Sequence, residues 1–288
     1  MIVLDRVSAG YGQHPALQEI SLSLLPSTVT GLVGPTASGK TTLMRVLAGM
    51  VPATSGSITV NGEALDASRR LPWCSYADDG ARFGSQRLSR VASYASLRPS
   101  WQPERFARLC ERFGIDLRRR AHRLSVGQRS VFSAVLTLAS GAPVLLLDES
   151  QATLDVPTRY GLYEEVLDLA SSGEQSIIVS THLVGEVETV VEQVVVLDAG
   201  ALVVATGADD LRSRMTSLVG PPSAIDAALA ALSGMMVISR RSLGSTTAVV
   251  LEGHLDTAVL THLSERGITT SPVPFQNAFA HLLKKVHP

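Results

Sequence analysis

Gly34-Pro-Thr-Ala-Ser-Gly39-Lys40-Thr41-Thr42 follows a β-rich run, residues 28–33, and opens a segment with helical apolar spacing that reaches about Met50. The stretch fits G-x-x-x-x-G-K-[ST], and its place between strand and helix is the one phosphate binding requires. Glycines let the backbone curl until its N–H groups converge on a phosphate, and the helix start adds the positive end of its dipole. Gly34, Pro35, Thr36, Ala37, Ser38, Gly39, Lys40, Thr41 and Thr42 would form that cradle. Lys40 is placed to reach the β- and γ-phosphates of a nucleotide, and the Thr41 hydroxyl to ligate Mg²⁺.

Further along, Val144-Leu-Leu-Leu-Asp148-Glu149 is a continuous apolar run ending in two acids, the mark of a strand buried on both faces. Asp148 is the candidate second anchor for Mg²⁺, through water. Glu149 would sit beside the γ-phosphate and deprotonate an attacking water. A second buried-strand signature lies at 177–180, with helical patterns at 157–170 and 184–191. Strands alternating with helices imply a parallel sheet with ligands at its carboxyl ends. Residues 2–7, 17–24 and 57–60 are also β-rich, and Asn61-Gly62 signals a hairpin. Residues 88–114 are helical in pattern, Phe106, Leu109 and Phe113 sharing one face. A further helix, 125–139, begins at a natural cap, Ser125.

The chain has 288 residues, 45% hydrophobic and 18% charged, with a net charge of −1. That is a globular composition with room for two domains, and a mean hydropathy of +0.22 points to surface buried against a partner. No apolar stretch approaches the ~18 residues needed to cross a bilayer. The opening MIVLDRVSAG lacks a secretory layout, and Cys74 and Cys110 have neither metal-ligand nor redox spacing, so a reducing cytoplasm is expected. The balance of charge gives no reason to expect nucleic acid. Arginines 98, 105, 108, 112, 118, 119, 120, 123 and 129 outnumber Glu104, Glu111 and Asp116 locally. They read either as a solvated helical face or as a surface toward lipid or a partner's cytoplasmic loops. Beyond about Gly207 the pattern becomes βαββαβ with a last helix, resembling a small ferredoxin-like unit. That unit holds no catalytic cluster, and regulation or dimer support is expected of it.

Leu124-Ser-Val-Gly-Gln128 closely resembles the signature of ABC ATPases, whose usual form is LSGGQ. Asp148-Glu149 and then Ser180-Thr181-His182 follow in the family's order and spacing, and the resemblance covers about residues 1–205. It implies an α/β P-loop NTPase fold: a parallel sheet, an antiparallel β subdomain, a helical signature subdomain at about 80–140, and here a small α+β C-terminal domain. The expected domains are 1–206 and 207–288. By the same resemblance, Ser125 and Gly127, with Gln128 in a lesser part, contact ATP held by the opposite subunit. Tyr11 stacks on adenine, Asp155 belongs to the loop that crosses the dimer interface, and His182 contacts the γ-phosphate as a catalytic partner of Glu149 and Lys40.

Departures from the family pattern are Val126 for a glycine, Ala37 for a glycine, Ser150 for a proline, and Ala152-Thr153. The family's Mg²⁺-touching glutamine is replaced; Asp78 is the best-aligned position, as a metal ligand, and Gln86 the lesser candidate. The implied activity is Mg-dependent ATP hydrolysis by a homodimer, or a pair with a paralogous ATPase subunit. It would act beneath separate integral membrane permeases, peripheral on the cytoplasmic face. Arg98-Pro-Ser-Trp-Gln-Pro is similar to exporter subunits. The alternative, a non-transport ABC ATPase of DNA or translation processes, is disfavoured. The interval of about 85 residues between phosphate loop and signature has neither heptads nor CxxC pairs, and one chain carries one cassette.

Overall fold

In the computed structural model, residues 1–65, 73–232, 234–253 and 255–286 are described. The chain divides into two compact units, Met1–Ala205 and Thr206–Pro288.

The first unit starts with two long strands, β1 (Ile2–Tyr11) and β2 (His14–Leu24), joined by a tight turn, which pair antiparallel with β4 (Ser55–Val60) and β5 (Glu63–Ala64) in the order β2-β1-β4-β5. Asn61 and Gly62, both at positive φ, turn β4 into β5 as their dipeptide predicts. The second sheet contains β3 (Val29–Val33), β6 (Cys74–Ala77), β7 (Val144–Asp148), β8 (Ser176–Thr181), β9 (Gln193–Asp198) and β10 (Ala201–Gly207), in the order β10-β9-β3-β8-β7-β6. Its pairs β9–β3, β3–β8, β8–β7 and β7–β6 are parallel. β7 and β9 are buried at every residue, as strands covered on both faces must be.

Helix α1 (Lys40–Leu47) leaves the phosphate loop and packs Leu43, Met44, Val46 and Leu47 into the core shared by the two sheets. The expected helix over 88–114 is two: α2 (Leu88–Ala95) and α3 (Pro103–Arg112). Pro99 and Pro103 explain the break, since proline lacks an N–H and only the first helical turn accepts it. With α4 (Val126–Leu138) these helices close over a separate core of Phe83, Leu88, Val91, Phe132 and Leu136. α4 is buried continuously from Ser130 to Leu138, so it serves that core and the β6–β7 edge together. After β7 comes α5 (Val156–Ser171), and after β8 only a short α6 (Val184–Val187), half the length its pattern implied. Cys74 and Cys110 form no disulfide and are buried, which pushes each thiol up to about 11.

The second unit contains α7 (Ala208–Ser213), β11 (Met215–Gly220), α8 (Pro222–Ala231), β12 (Met236–Leu243), β13 (Thr246–Glu252), α9 (Thr257–Glu265), β14 (Thr269–Pro272) and α10 (Phe275–Val286). Its antiparallel sheet has the order β12-β13-β11-β14, and α8 and α9 cover one face through Ile225, Ala228 and Leu263. This is the ferredoxin-like arrangement read from the sequence.

Candidate active site

β3, β8, β7 and β6 are neighbours in that order, so the loops leaving their carboxyl ends meet. Register aligns Val33 with Thr181, Asp148 with Ser180, and Ala77 with Leu147. The phosphate loop, His182, the Asp148-Glu149 pair and Asp78 therefore emerge at one rim. The loop is tight: a Cβ on Gly34 would lie 2.3 Å from the Leu197 carbonyl and 2.4 Å from Ser38 Oγ, and Gly39 has φ +103°. Ala37 has φ +65°, the conformation that explains the family's glycine there and costs alanine about 1 kcal/mol. Lys40, 4% exposed, folds back and donates to the Gly34 and Pro35 carbonyls at 2.9 Å each. Residues 36–42, Ala16, Glu149 and His182 line a cleft of about 440 Å³.

Asp148 sits beside the loop's hydroxyl: Thr41 Oγ1 donates to Oδ1 at 3.2 Å. Ser180 Oγ donates to the same oxygen at 2.6 Å and accepts from the Glu149 amide at 3.0 Å. Glu149 takes φ +48°, a strained conformation of the kind kept at functional positions. Its carboxylate lies 3.5 Å from Lys40 Nζ and 2.7 Å from His182 Nδ1. A hydroxyl and one carboxylate fit Mg²⁺, which keeps waters and shares substrate phosphates instead of demanding an all-protein cage.

Asp78 does not join this pair. Its Oδ1 accepts from the Gly80 amide at 2.9 Å and its Oδ2 pairs with Arg82 Nη1 at 3.0 Å, so its own loop claims both oxygens. Chain position places the residue at the rim but not its side chain, and Arg82, four residues on, pairs with it. Gln86 is exposed, and its carbonyl accepts from the Ala121 amide. From β6 it is Tyr76 that reaches the site, its hydroxyl donating to Asp148 Oδ2 at 2.8 Å. Tyr76 was not singled out in the sequence, and neither was the contact of Ser180; both depend on strand neighbours distant in the chain.

Tyr11 ends β1, is 46% exposed, and accepts from Arg45 Nη1 at 3.4 Å. Ser125 caps α4 by a capping box: its Oγ accepts from the Gln128 amide at 3.1 Å, and Gln128 Oε1 accepts from the Ser125 amide at 3.2 Å. Gly127 is needed because a Cβ there would lie 2.7 Å from the Thr153 carbonyl. Asp155 caps α5, and the Thr158 hydrogen bonds hold its carboxyl below the usual range. Ser125, Gly127, Gln128, Thr153 and Asp155 line a cavity of about 430 Å³ that shares no lining residue with the phosphate-loop cleft. One chain thus keeps signature and phosphate loop apart.

Comparison with known proteins agrees with this geometry. The family described as "ABC transporter" matches residues 17–152. An Fe(3+) ions import ATP-binding protein of Pseudomonas fluorescens is 31% identical over 268 residues, covering 86% of this chain and 76% of that protein. A taurine import ATP-binding protein of Shigella dysenteriae is 30% identical over 213 residues, 69% of this chain and 80% of its own. A solved dimeric bacterial ABC transporter cassette superposes with a TM-score of 0.63 at 20% identity, over 72% of this chain and 99% of that one, a likeness of fold. Phosphate loop, acid pair, histidine and signature on a shared fold, with relatives matched along most of their length, make this chain a member of the ABC transporter ATP-binding family.

Proposed function

We propose that this chain is the ATP-hydrolysing subunit of an ABC transporter, peripheral on the cytoplasmic face and driving separate integral membrane permeases. The observation that carries this reading is the meeting of Lys40, Glu149 and His182 beside the Thr41–Asp148 pair at one end of the sheet. Among the described residues no helix is long and apolar enough to cross a membrane, which supports a passage supplied by other subunits.

Lys40 has two carbonyl partners to exchange for phosphate oxygens. Glu149 is oriented by His182 and by the Ser180 bond to its amide, and its free lone pairs accept a proton from an attacking water. Thr41 and Asp148 would hold Mg²⁺, which neutralises phosphate charge when bound. Tyr11 would add base stacking, worth ~1–3 kcal/mol. The separation of signature and phosphate loop within one chain supports a composite site. Ser125 and Gly127 of a second copy, or of a paralogous subunit, would cap the nucleotide held here. Asp155 would lie at that interface.

The export direction inferred from Arg98-Pro-Ser-Trp-Gln-Pro gains no support from the relatives, whose names state import. Cargo and direction would follow the membrane partner, which purification of the native complex would identify. The non-transport alternative is not favoured. Glu149→Gln is expected to cut turnover by at least ~10²-fold, while ATP binding survives and an ATP-bound dimer accumulates in sedimentation. Undiminished turnover would remove Glu149 from the mechanism, and a variant that stays monomeric with ATP would sink the composite site.

A further inference from the structure

Asp148 carries more hydrogen bonds than a simple metal anchor needs. Oδ1 accepts from Ser180 and Thr41, while Oδ2 accepts from the Tyr76 hydroxyl at 2.8 Å. Tyr76 is itself anchored: the residue is 8% exposed and belongs to the core that receives α1. Arg45 on α1 donates to the hydroxyl of Tyr11 at 3.4 Å.

The direction of the proton follows from the groups present. An ionised carboxylate only accepts, so the Tyr76 phenol donates to Asp148. A tyrosine hydroxyl is ordinarily protonated at neutral pH, so it is available as a donor.

We propose that Tyr76 is a positioning residue for the metal-holding carboxylate: it ties Asp148 Oδ2 into the core and so fixes the plane of the carboxylate, with Oδ1, held by Ser180, on the Thr41 side where a divalent cation would bind. Partners of this kind set the orientation and basicity of a metal-binding group. The inference rests on Thr41 and Asp148 forming the metal site.

The test is Mn²⁺ binding, followed by electron paramagnetic resonance with ATP present, in the full-length chain. Binding of ATP in EDTA is measured alongside. Tyr76→Phe keeps the ring and removes one hydroxyl. It is expected to weaken Mn²⁺ about 10-fold, the lower end for loss of such a partner, and to leave metal-free ATP binding unchanged. Tight Mn²⁺ binding in Tyr76→Phe equal to the wild type would overturn the proposal. So would equal losses of Mn²⁺ and metal-free ATP binding, which would mark Tyr76 as structural only. A wild-type chain with no ATP-dependent Mn²⁺ site would instead bring down the metal-site reading beneath it.

Discussion

Glu165 should be the most sensitive single joint between the helical subdomain and the α/β core. It projects from α5, is 2% exposed, and receives both Arg108 nitrogens at 2.7 Å in a fork; Arg112 donates to the same carboxylate and to Glu164. Both arginines come from α3, so one buried carboxylate fastens that helix to the core. Glu165→Gln keeps the shape, but points an N–H donor at an arginine that can only donate. Breaking a fully buried pair costs about 3–5 kcal/mol. Here the arginine side chains are 50% and 35% exposed and can turn to water, so the loss should be nearer 2 kcal/mol, between that figure and the ~0–1 kcal/mol of a surface pair. The assay is urea unfolding followed by tryptophan emission, which reports on the first unit alone because both tryptophans, Trp73 and Trp101, lie there. The slope should be unchanged and the midpoint lowered. The pH dependence has a definite sign. Burial alone would raise the Glu165 carboxyl, but the hydrogen bonds of Arg108 and Arg112 outweigh it and the net shift is downward. A lowered carboxyl stabilises fully above its unfolded value, about 4.3, and loses that contribution as pH falls through the folded value. The gap between wild type and variant should hold constant from neutral pH to above that range and close below it. A variant within ~0.5 kcal/mol of wild type at neutral pH, the range of an inert surface change, would refute the reasoning.

Two further outcomes test the parts around the signature. Phe132→Ala removes a side chain with 0% exposure that meets Phe83 edge-on at 5.5 Å; urea unfolding of the first unit should show a loss of about 3–5 kcal/mol. Gly127→Ala puts a Cβ 2.7 Å from the Thr153 carbonyl, an overpacking that costs about 1–3 kcal/mol. Because the yielding atom is backbone in the loop before Asp155, sedimentation should show loss of ATP-driven dimerisation while one chain still binds nucleotide.

What could be read in the sequence divides along a physical line. The phosphate loop and the acid pair are legible because their chemistry is written in consecutive residues: left-handed φ at Gly39 and burial along β7 follow from local composition. The ferredoxin-like unit was legible for the same reason, since short strands and helices alternate there without long insertions. The break between α2 and α3 was written too, in Pro99 and Pro103, but helical periodicity on either side masks it. The contacts made across strands were not legible. Tyr76 and Ser180 reach Asp148 only because β6 and β8 flank β7 in register, and no pattern within either segment records that adjacency. Asp78 shows the converse case: it stands at the rim where position alone would put a metal ligand, and a neighbour four residues away holds its carboxylate. Position along a strand end is thus a weaker guide to a ligand than the competition among nearby donors. A residue one pleat further back, long enough to reach around the edge, can take the contact instead.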